Sequence, residues 1–537
     1  MIKQVITVLV SISMSGIKNH SVMLVFTFLV LSWPPISNAD DKKTYGQVAK
    51  IVEHYCSGCH YTPSPSLMPK KSWPYVVKRM AEIAEDKYGK PFISEAHIRD
   101  ITAFYYGNSP DALPVLPYVV SEKKGVMHRV SEIGRKAKLP LVINLKAVEL
   151  TGAAGQEFLV CDGETDTVSH LVIDGSKWTE TILAKVKVPS NATVVDIDND
   201  GDNDVLVSSL GLFFPPTGVY AGRVVLLEQV KKNKFEKKVI LEDVGRVTDA
   251  QPLDMDDDGD LDIAVSIFGG DVPGEIAWLE NLGVGKGYKK RTLFNIGGGL
   301  NITPVDINND GKLDLVSFLT QEHEQIVALI NRGGGNYEQA LLFQASHPMV
   351  GPTAINFYDI DMDGDTDILF TNGDAHDFQH DPKPYHGVQW LENGGGLEFE
   401  YRDVGRFYGA SKAQVGDWDS DGDNDIVASS WNNYWEDEKR QTLIWYENDG
   451  EQNFHARPII HEPSSIVSFE LVDIDGNGNL DILAGLFDID LLKKFMNLQF
   501  NDRARAKDIL KNENKKPRIV KISREKPVMP LKDSAIK

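Results

Sequence analysis

Apolar residues along this chain keep two different rhythms. Val48, Ile51, Val52 and Tyr55 fall at helical spacing. A second stripe, Trp73, Val76, Val77, Met80, Ile83 and Ala84, follows Ser72 and carries Pro74 in its first turn; a third, Ile98, Ile101, Phe104 and Tyr105, follows Ser94. Residues three and four apart share one helix face, so three amphipathic helices are expected, the first two joined by a loop through Pro63, Pro65 and Pro69. Beyond Pro110, Pro114 and Pro117 the rhythm changes to short apolar runs of strand length, separated by Gly and Asp.

That second part is repetitive. The run VVDIDNDGDNDVLVSS returns as PLDMDDDGDLDIAVS, PVDINNDGKLDLVSF, FYDIDMDGDTDILFT, VGDWDSDGDNDIVAS and LVDIDGNGNLDILAG, at intervals of 52 to 58 residues by subtraction. Such a period marks a stacked or circular array. Variants of W-L-E-N-G follow in Trp278 to Asn281, Trp390 to Asn393 and Trp445 to Asn448, each before a fourth strand bearing Phe or Tyr. Four short strands per repeat predict a propeller blade. An upstream copy without an Asp run, with strands at Leu141 to Val148, Glu157 to Cys161, His170 to Asp174 and Trp178 to Ala184, brings the count to seven. The last copy is short of strands. Arg518 to Ser523, with either Tyr118 to Glu122 or His128 to Ile133, is expected to complete it and close the ring.

The Asp runs carry the first chemistry. In DxDxDGxxD, side chains at positions 1, 3, 5 and 9 and the carbonyl of position 7 converge on one cation, and the position 6 glycine allows the sharp turn. The expected sets are Asp196, Asp198, Asp200, Asp202 and Asp204; Asp254, Asp256, Asp258, Asp260 and Asp262; and Asp306, Asn308, Asp310, Lys312 and Asp314. In the later copies they are Asp359, Asp361, Asp363, Asp365 and Asp367; Asp417, Asp419, Asp421, Asp423 and Asp425; and Asp473, Asp475, Asn477, Asn479 and Asp481. Hard oxygens in a flexible ring suit Ca²⁺ better than Mg²⁺, and crowded carboxylates repel one another without a cation. An EF-hand is excluded because position 12 is Val207, Val265, Ser317, Phe370, Ala428 or Ala484 and never Glu. Up to six structural calcium ions are expected, the third and sixth held more weakly. These repeats resemble the FG-GAP or VCBS family, the seven-bladed calcium-loop propellers also seen in integrin α subunits. The resemblance covers residues 140 to 490.

The other chemistry lies at Cys56-Ser57-Gly58-Cys59-His60, two thiols three apart followed by an imidazole, the attachment pattern of a c-type haem. Cys56 and Cys59 would bond the porphyrin and His60 the iron. A zinc site would need a second ligand pair, and the other cysteine, Cys161, lies in a distant apolar run. A dithiol redox pair would sit in a βαβ pattern, which is absent around it. The helix, CxxCH, helix plan resembles a class I cytochrome c fold. The W-P-x-V-V-x-x-M pattern then makes Met80 the expected sixth ligand, with Met68 as rival and His54 and His97 behind.

Lys18, His20, the apolar run Val22 to Trp33 and the small residues Ser37 to Ala39 read as an export signal. Residues 1–39 are therefore expected to be removed, leaving no integral membrane segment, and the protein to be periplasmic or extracellular. A haem domain over 44–110, a linker with a ring-closing strand over 111–137, the propeller over 138–490 and a polar, basic segment over 491–537 complete the multidomain plan: a small all-α domain followed by an all-β propeller. A formal charge of -22 argues against nucleic-acid or anionic-membrane partners.

On the propeller face opposite the Asp loops, the loops between second and third strands carry Phe213, Phe214, Pro215 and Pro216; His323; His376, Asp377, His380, Asp381 and His386; and Trp431, Tyr434 and Trp435. Arg246, Arg406 and His347 join them. His376, His380, His386, Trp431 and Trp435 are the candidate catalytic residues. The expectation is electron transfer with a redox protein donor or acceptor. Two alternatives stand beside it: a haem-linked oxidoreductase with a small substrate on this face, and a calcium-dependent binding or adhesion propeller.

Overall fold

Three helices, α1 (Tyr45–Cys56), α2 (Trp73–Tyr88) and α3 (Glu95–Asn108), precede the strands in a computed structural model of the chain. The structure describes residues 45–58, 60–120, 127–213, 218–270, 272–283, 285–321, 323–374, 382–463, 465–492, 494, 510–511 and 513–525. The export signal, Cys59, Phe214, Pro215, Pro216, His376, Asp377, His380, Asp381 and the chain beyond 525 lie outside the described residues.

The helices form where the apolar stripes predict them. Ser94 caps α3, its hydroxyl accepting the His97 amide at 3.3 Å, and α2 ends on Gly89 in the left-handed region at φ 67°. Val52, Met68, Trp73, Val76, Val77, Ile101 and Tyr105 bury one another, with Trp73 and Tyr105 stacked at 3.9 Å. The proline loop is tied to this cluster from outside. Tyr105 Oη donates to the Pro63 carbonyl at 3.0 Å and the Trp73 indole to that of Pro65 at 3.2 Å.

Seven four-stranded antiparallel sheets follow, numbered here as blades in chain order. Blade one is Val142–Val148, Gln156–Asp162, Thr167–Asp174 and Lys177–Lys185; blades two to six run from Pro189 to Ile460 in the same up-and-down order. Blade seven takes Ile466–Val472 and Asp481–Leu486 from one end of the propeller chain, then Lys516–Glu525, and outermost Met127–Ala137. Val130 pairs with Ile522 and Ile133 with Ile519, so the first strand of the propeller closes the ring on its last. Tyr118 to Val120 form no strand.

Most second strands are buried along their whole length, as in Asp204–Ser209 and Asp425–Ser430. They read as continuous apolar runs because both faces are covered by neighbouring blades. A separate apolar cluster lies at each of the seven blade interfaces: Trp390 and Tyr446 join blades five and six, for example, and Leu145 and Leu483 join one and seven. No helix among the described residues is long and apolar enough to cross a membrane.

Candidate functional site

The Asp loops join first and second strands, and each repeats one hydrogen-bond scheme. The position 1 carboxylate accepts the amides of positions 5 and 6, as when Asp196 takes Asp200 at 3.1 Å and Gly201 at 3.0 Å. The position 5 carboxylate accepts the amide of position 7, and position 9 ties the loop down at both ends. Asp204 Oδ2 accepts the amide of Ile197 at 3.3 Å, while Oδ1 accepts that of Gln229 in the third strand at 2.7 Å. Asp262, Asp314, Asp367 and Asp425 do the same with Asn281, Asn331, Asn393 and Asn448. The turn needs a left-handed residue at position 4 as well as at the glycine: Asn199, Asp257, Asn309, Met362 and Ser420 all have φ between 56° and 65°. In the sixth loop Gly476 takes that place.

Five groups of three aspartates have ligand oxygens within 4.8 Å of one another: Asp196, Asp198, Asp200; Asp254, Asp256, Asp262; Asp359, Asp361, Asp367; Asp417, Asp419, Asp425; and Asp473, Asp475, Asp481. Each could hold a divalent cation. The Asp306 loop, with Asn308 at position 3, gives no such group among the described residues. Burial pushes Asp204, Asp262 and Asp367 up to about 6 and Asp425 up to about 7. Raised carboxyls among like charges are the condition that a bound cation relieves. The buried oxygens Asp256 Oδ1 and Asp260 Oδ1 have no hydrogen-bond partner among the described residues, and they fit a group that supplies positive charge.

The third strands bring residues that the motif does not contain. Burial and loop neighbours push up the carboxyls of Asp198, Asp256, Asp361 and Asp419, and Glu228, Glu280, Glu392 and Glu447 add to the shift. These are the glutamates of the W-L-E-N runs and their blade-two counterpart. Each is also paired to a fourth-strand cation: Lys238, Arg291, Arg402 and Arg457. Their place in the repeat was visible in the sequence, but their nearness to the loop comes only from strand pairing.

The opposite face is occupied in part by the N-terminal segment. Met349, in the loop leading into blade five, packs against the helical cluster. The stretch after α3 is strapped to blade six: the Leu116 amide donates to Tyr408 Oη at 2.9 Å and Tyr118 Oη to Asp437 at 2.8 Å. The guanidinium of Arg440 donates to the carbonyls of Leu116 and Pro117 and lies against the rings of Tyr118 and Tyr408. A small cleft between strap and blade is lined by Val119, Arg406, Phe407 and Asn433.

Of the candidate catalytic residues, His376 and His380 lie outside the described residues, and two others are built into the scaffold. His386 is 0% exposed; its Nδ1 accepts the amides of Lys383 and Gly409, each at 3.3 Å, and burial and Lys383 lower it to about 3. It therefore stands neutral and inaccessible to solvent, bracing two loops. Trp431 donates its indole N–H to the Gly373 carbonyl at 3.1 Å and packs with Phe213 and Phe487, so it too is a brace. Trp435 is half-buried. His347 is lowered to about 4 by burial and Arg406, and its Nδ1 accepts the Met349 amide at 3.2 Å. The apolar surround that makes these histidines neutral was not readable from loop sequences.

Around the CxxCH run, Cys56 ends α1 and, with Met80, lies at the partly buried rim of the helical cluster. Burial raises the Cys56 thiol, opposed by a hydrogen bond with Tyr105. His60 Nδ1 is hydrogen-bonded with the Tyr61 carbonyl at 2.8 Å. Met68 is 0% exposed and fills the centre of the cluster. His97 is engaged by Tyr55 Oη at 3.0 Å.

With this geometry in hand, the sequence matches the family model for the FG-GAP-like repeat at residues 254–317, 306–370 and 417–484. The chain thus carries FG-GAP-like repeats in a seven-bladed β-propeller with Asp-rich loops, behind a small helical N-terminal region. None of the curated proteins matches it. Among solved structures it is similar to crystals of BBS1N in complex with ARL6DN, soaked with lead, at 10% identity over 66% of this chain and 93% of that one, with a TM-score of 0.39. The same complex soaked with mercury matches at 10% identity over 66% and 94%, with a TM-score of 0.39.

Proposed function

We propose that this is an exported electron-transfer protein: a calcium-held propeller whose loop face carries a small helical domain built for one covalent haem. The observation that carries the reading is Cys56-x-x-Cys59-His60 at the end of α1. Haem c would supply a one-electron iron couple there. Of the residues that would hold it, Cys56 and His60 suit the group by their chemistry. His60 keeps Nδ1 on a backbone carbonyl, which orients the ring and leaves Nε2 for a metal. Met80 would be a better second residue to hold the iron than Met68, because it shares the rim of the cluster with Cys56 while Met68 is closed off inside it. The strap and Met349 hold this domain on the propeller, so a donor or acceptor would meet both together.

The test is haem content of the chain exported from a host that attaches haem to CxxCH proteins. A reducible low-spin haem, lost in Cys56→Ala and altered at the iron in Met80→Ala but not in Met68→Ala, supports the reading. A purified full-length chain without haem overturns it. The second reading, a calcium-dependent binding propeller, needs no haem, and the repeat match and the Asp triads support it more than they support the first. Calcium-dependent capture of a partner by haem-free protein would favour it. A substrate-oxidising propeller loses support from the burial of His386 and the bracing role of Trp431. Haem reduction by a small substrate, abolished at His376 or His380, would restore it.

A further inference from the structure

Strand pairing places one residue of each third strand two steps past loop position 9, at the base of the loop. In blades two to six it is Leu226, Trp278, Ala328, Trp390 and Trp445, paired with Leu206, Ala264, Val316, Leu369 and Val427. In blade seven it is Lys521, paired with Leu483. Its ammonium lies 2.9 Å from Asp481 Oδ2 and 3.3 Å from Asp475 Oδ2, on a side chain only 11% exposed. Asp473, Asp475 and Asp481 are one of the five triads, so Lys521 already bridges two of its three carboxylates. Two more features separate this loop from those of blades two, three, five and six. Ser523 pairs with Asp481 at the register position where blades two, three, five and six have Glu228, Glu280, Glu392 and Glu447, and positions 5 and 7 are Asn477 and Asn479.

Blade one uses the same position in the same way. His170 pairs with Leu159, two steps past Glu157, and its Nε2 donates to Glu157 Oε2 at 2.8 Å. A lysine and a histidine thus stand where three blades carry a tryptophan, whose indole is a neutral donor beside Asp262 and Asp367, in the two blades that meet where the ring closes. A lysine ammonium offers a fixed positive charge and three donors, and a calcium ion bound to the same oxygens would sit against it with like charge.

We propose that the blade-seven loop takes no calcium and that Lys521 is its resident cation, so the chain binds calcium at fewer loops than it has Asp runs. The inference rests on the calcium reading of the other loops. The test is bound calcium per full-length chain, by equilibrium dialysis with atomic emission. Asp475→Ala is expected to leave the count unchanged, whereas the same change at position 3 of blade six, Asp419→Ala, removes one ion. Lys521→Gln is expected to add one. A loss of one ion in Asp475→Ala, or no gain in folded Lys521→Gln, overturns the proposal; if Lys521→Gln does not fold, Asp475→Ala decides alone. A natural chain that binds no calcium would sink the calcium reading itself, and this inference with it.

Discussion

Blades one and three make the same four-stranded sheet by different means. In blade three, Asp262 stands at the head of the second strand and ties the loop to Met255 and Asn281, but the loop also gathers Asp254, Asp256, Asp258 and Asp260, which form no ion pair among the described residues. In blade one, Val148 pairs with Glu157 just as Leu253 pairs with Asp262, so Glu157 holds the position 9 register. Its carboxylate accepts the amides of Leu150 at 3.2 Å, Thr151 at 2.8 Å and Ala153 at 2.7 Å, the Thr151 hydroxyl and His170. Gly155 makes the short loop fit, since a Cβ there would meet the Ile173 carbonyl oxygen at 2.3 Å. One longer side chain, satisfied by amides and an imidazole, replaces five carboxylates and the cation they could hold. The blade therefore comes from strand pattern and register; the Asp loop is one of two ways to finish its first turn.

Removing calcium should separate the two kinds of blade most strongly. A ligand at a thousand times its dissociation constant contributes about 4 kcal/mol per site, so chelation is expected to lower the melting temperature sharply, with hydrogen exchange rising at the Asp loops and not at 149–155. Unchanged melting with chelator would contradict the structural role of the ions.

Glu157→Ala attacks the other side. It leaves several buried donors unmatched and is expected to destabilise by about 3 kcal/mol in urea, equally with and without calcium. A loss confined to one condition would show that blade one shares the ion-dependent design.

Acid should reverse the order of vulnerability. Without an ion, Asp204, Asp262 and Asp367 take up protons near pH 6 and Asp425 near pH 7, above their ordinary 3.8. Protons then compete with calcium, and calorimetric affinity is expected to fall as pH drops through that window. The ion-free chain gains from the same protonation, because these raised carboxyls burden it only while ionised. Glu157 runs the other way: burial works to raise it, but the Thr151 and Ala153 amides, the Thr151 hydroxyl and His170 pull it below the usual range. Its contribution should persist through the window and fade only as pH falls below the ordinary carboxylate range. Affinity independent of pH between 7.5 and 5.5 would break this contrast.

The smallest effect is expected from Asn308→Asp, which would give the blade-four loop the position 3 carboxylate it lacks and strengthen its calcium binding about tenfold. No gain on titration would mean that Lys312 or Ile330, where other blades carry Glu, sets the limit.

Much of this is legible in the sequence. The six Asp runs announced their turns because a metal loop needs fixed residue types at fixed offsets, and the helical stripes and cap at Ser94 followed from spacing. Blade one was readable as strands, but Glu157 was silent as an anchor because nothing local distinguishes it from any strand glutamate. His386 shows a related limit: a loop histidine suggests exposure, and only the surrounding blades bury it.

The sequence by itself determined the repeat, the strands, the Asp-rich turns and the CxxCH run, all of which depend on neighbours within a few residues. Tertiary structure decided the rest: which of two candidate segments, Met127–Ala137, closes on Lys516–Glu525, Lys521 lying among the blade-seven aspartates, and the strap crossing blade six. Those contacts join residues far apart in the chain, and their energies come from burial and charge at sites that exist only once the ring is closed.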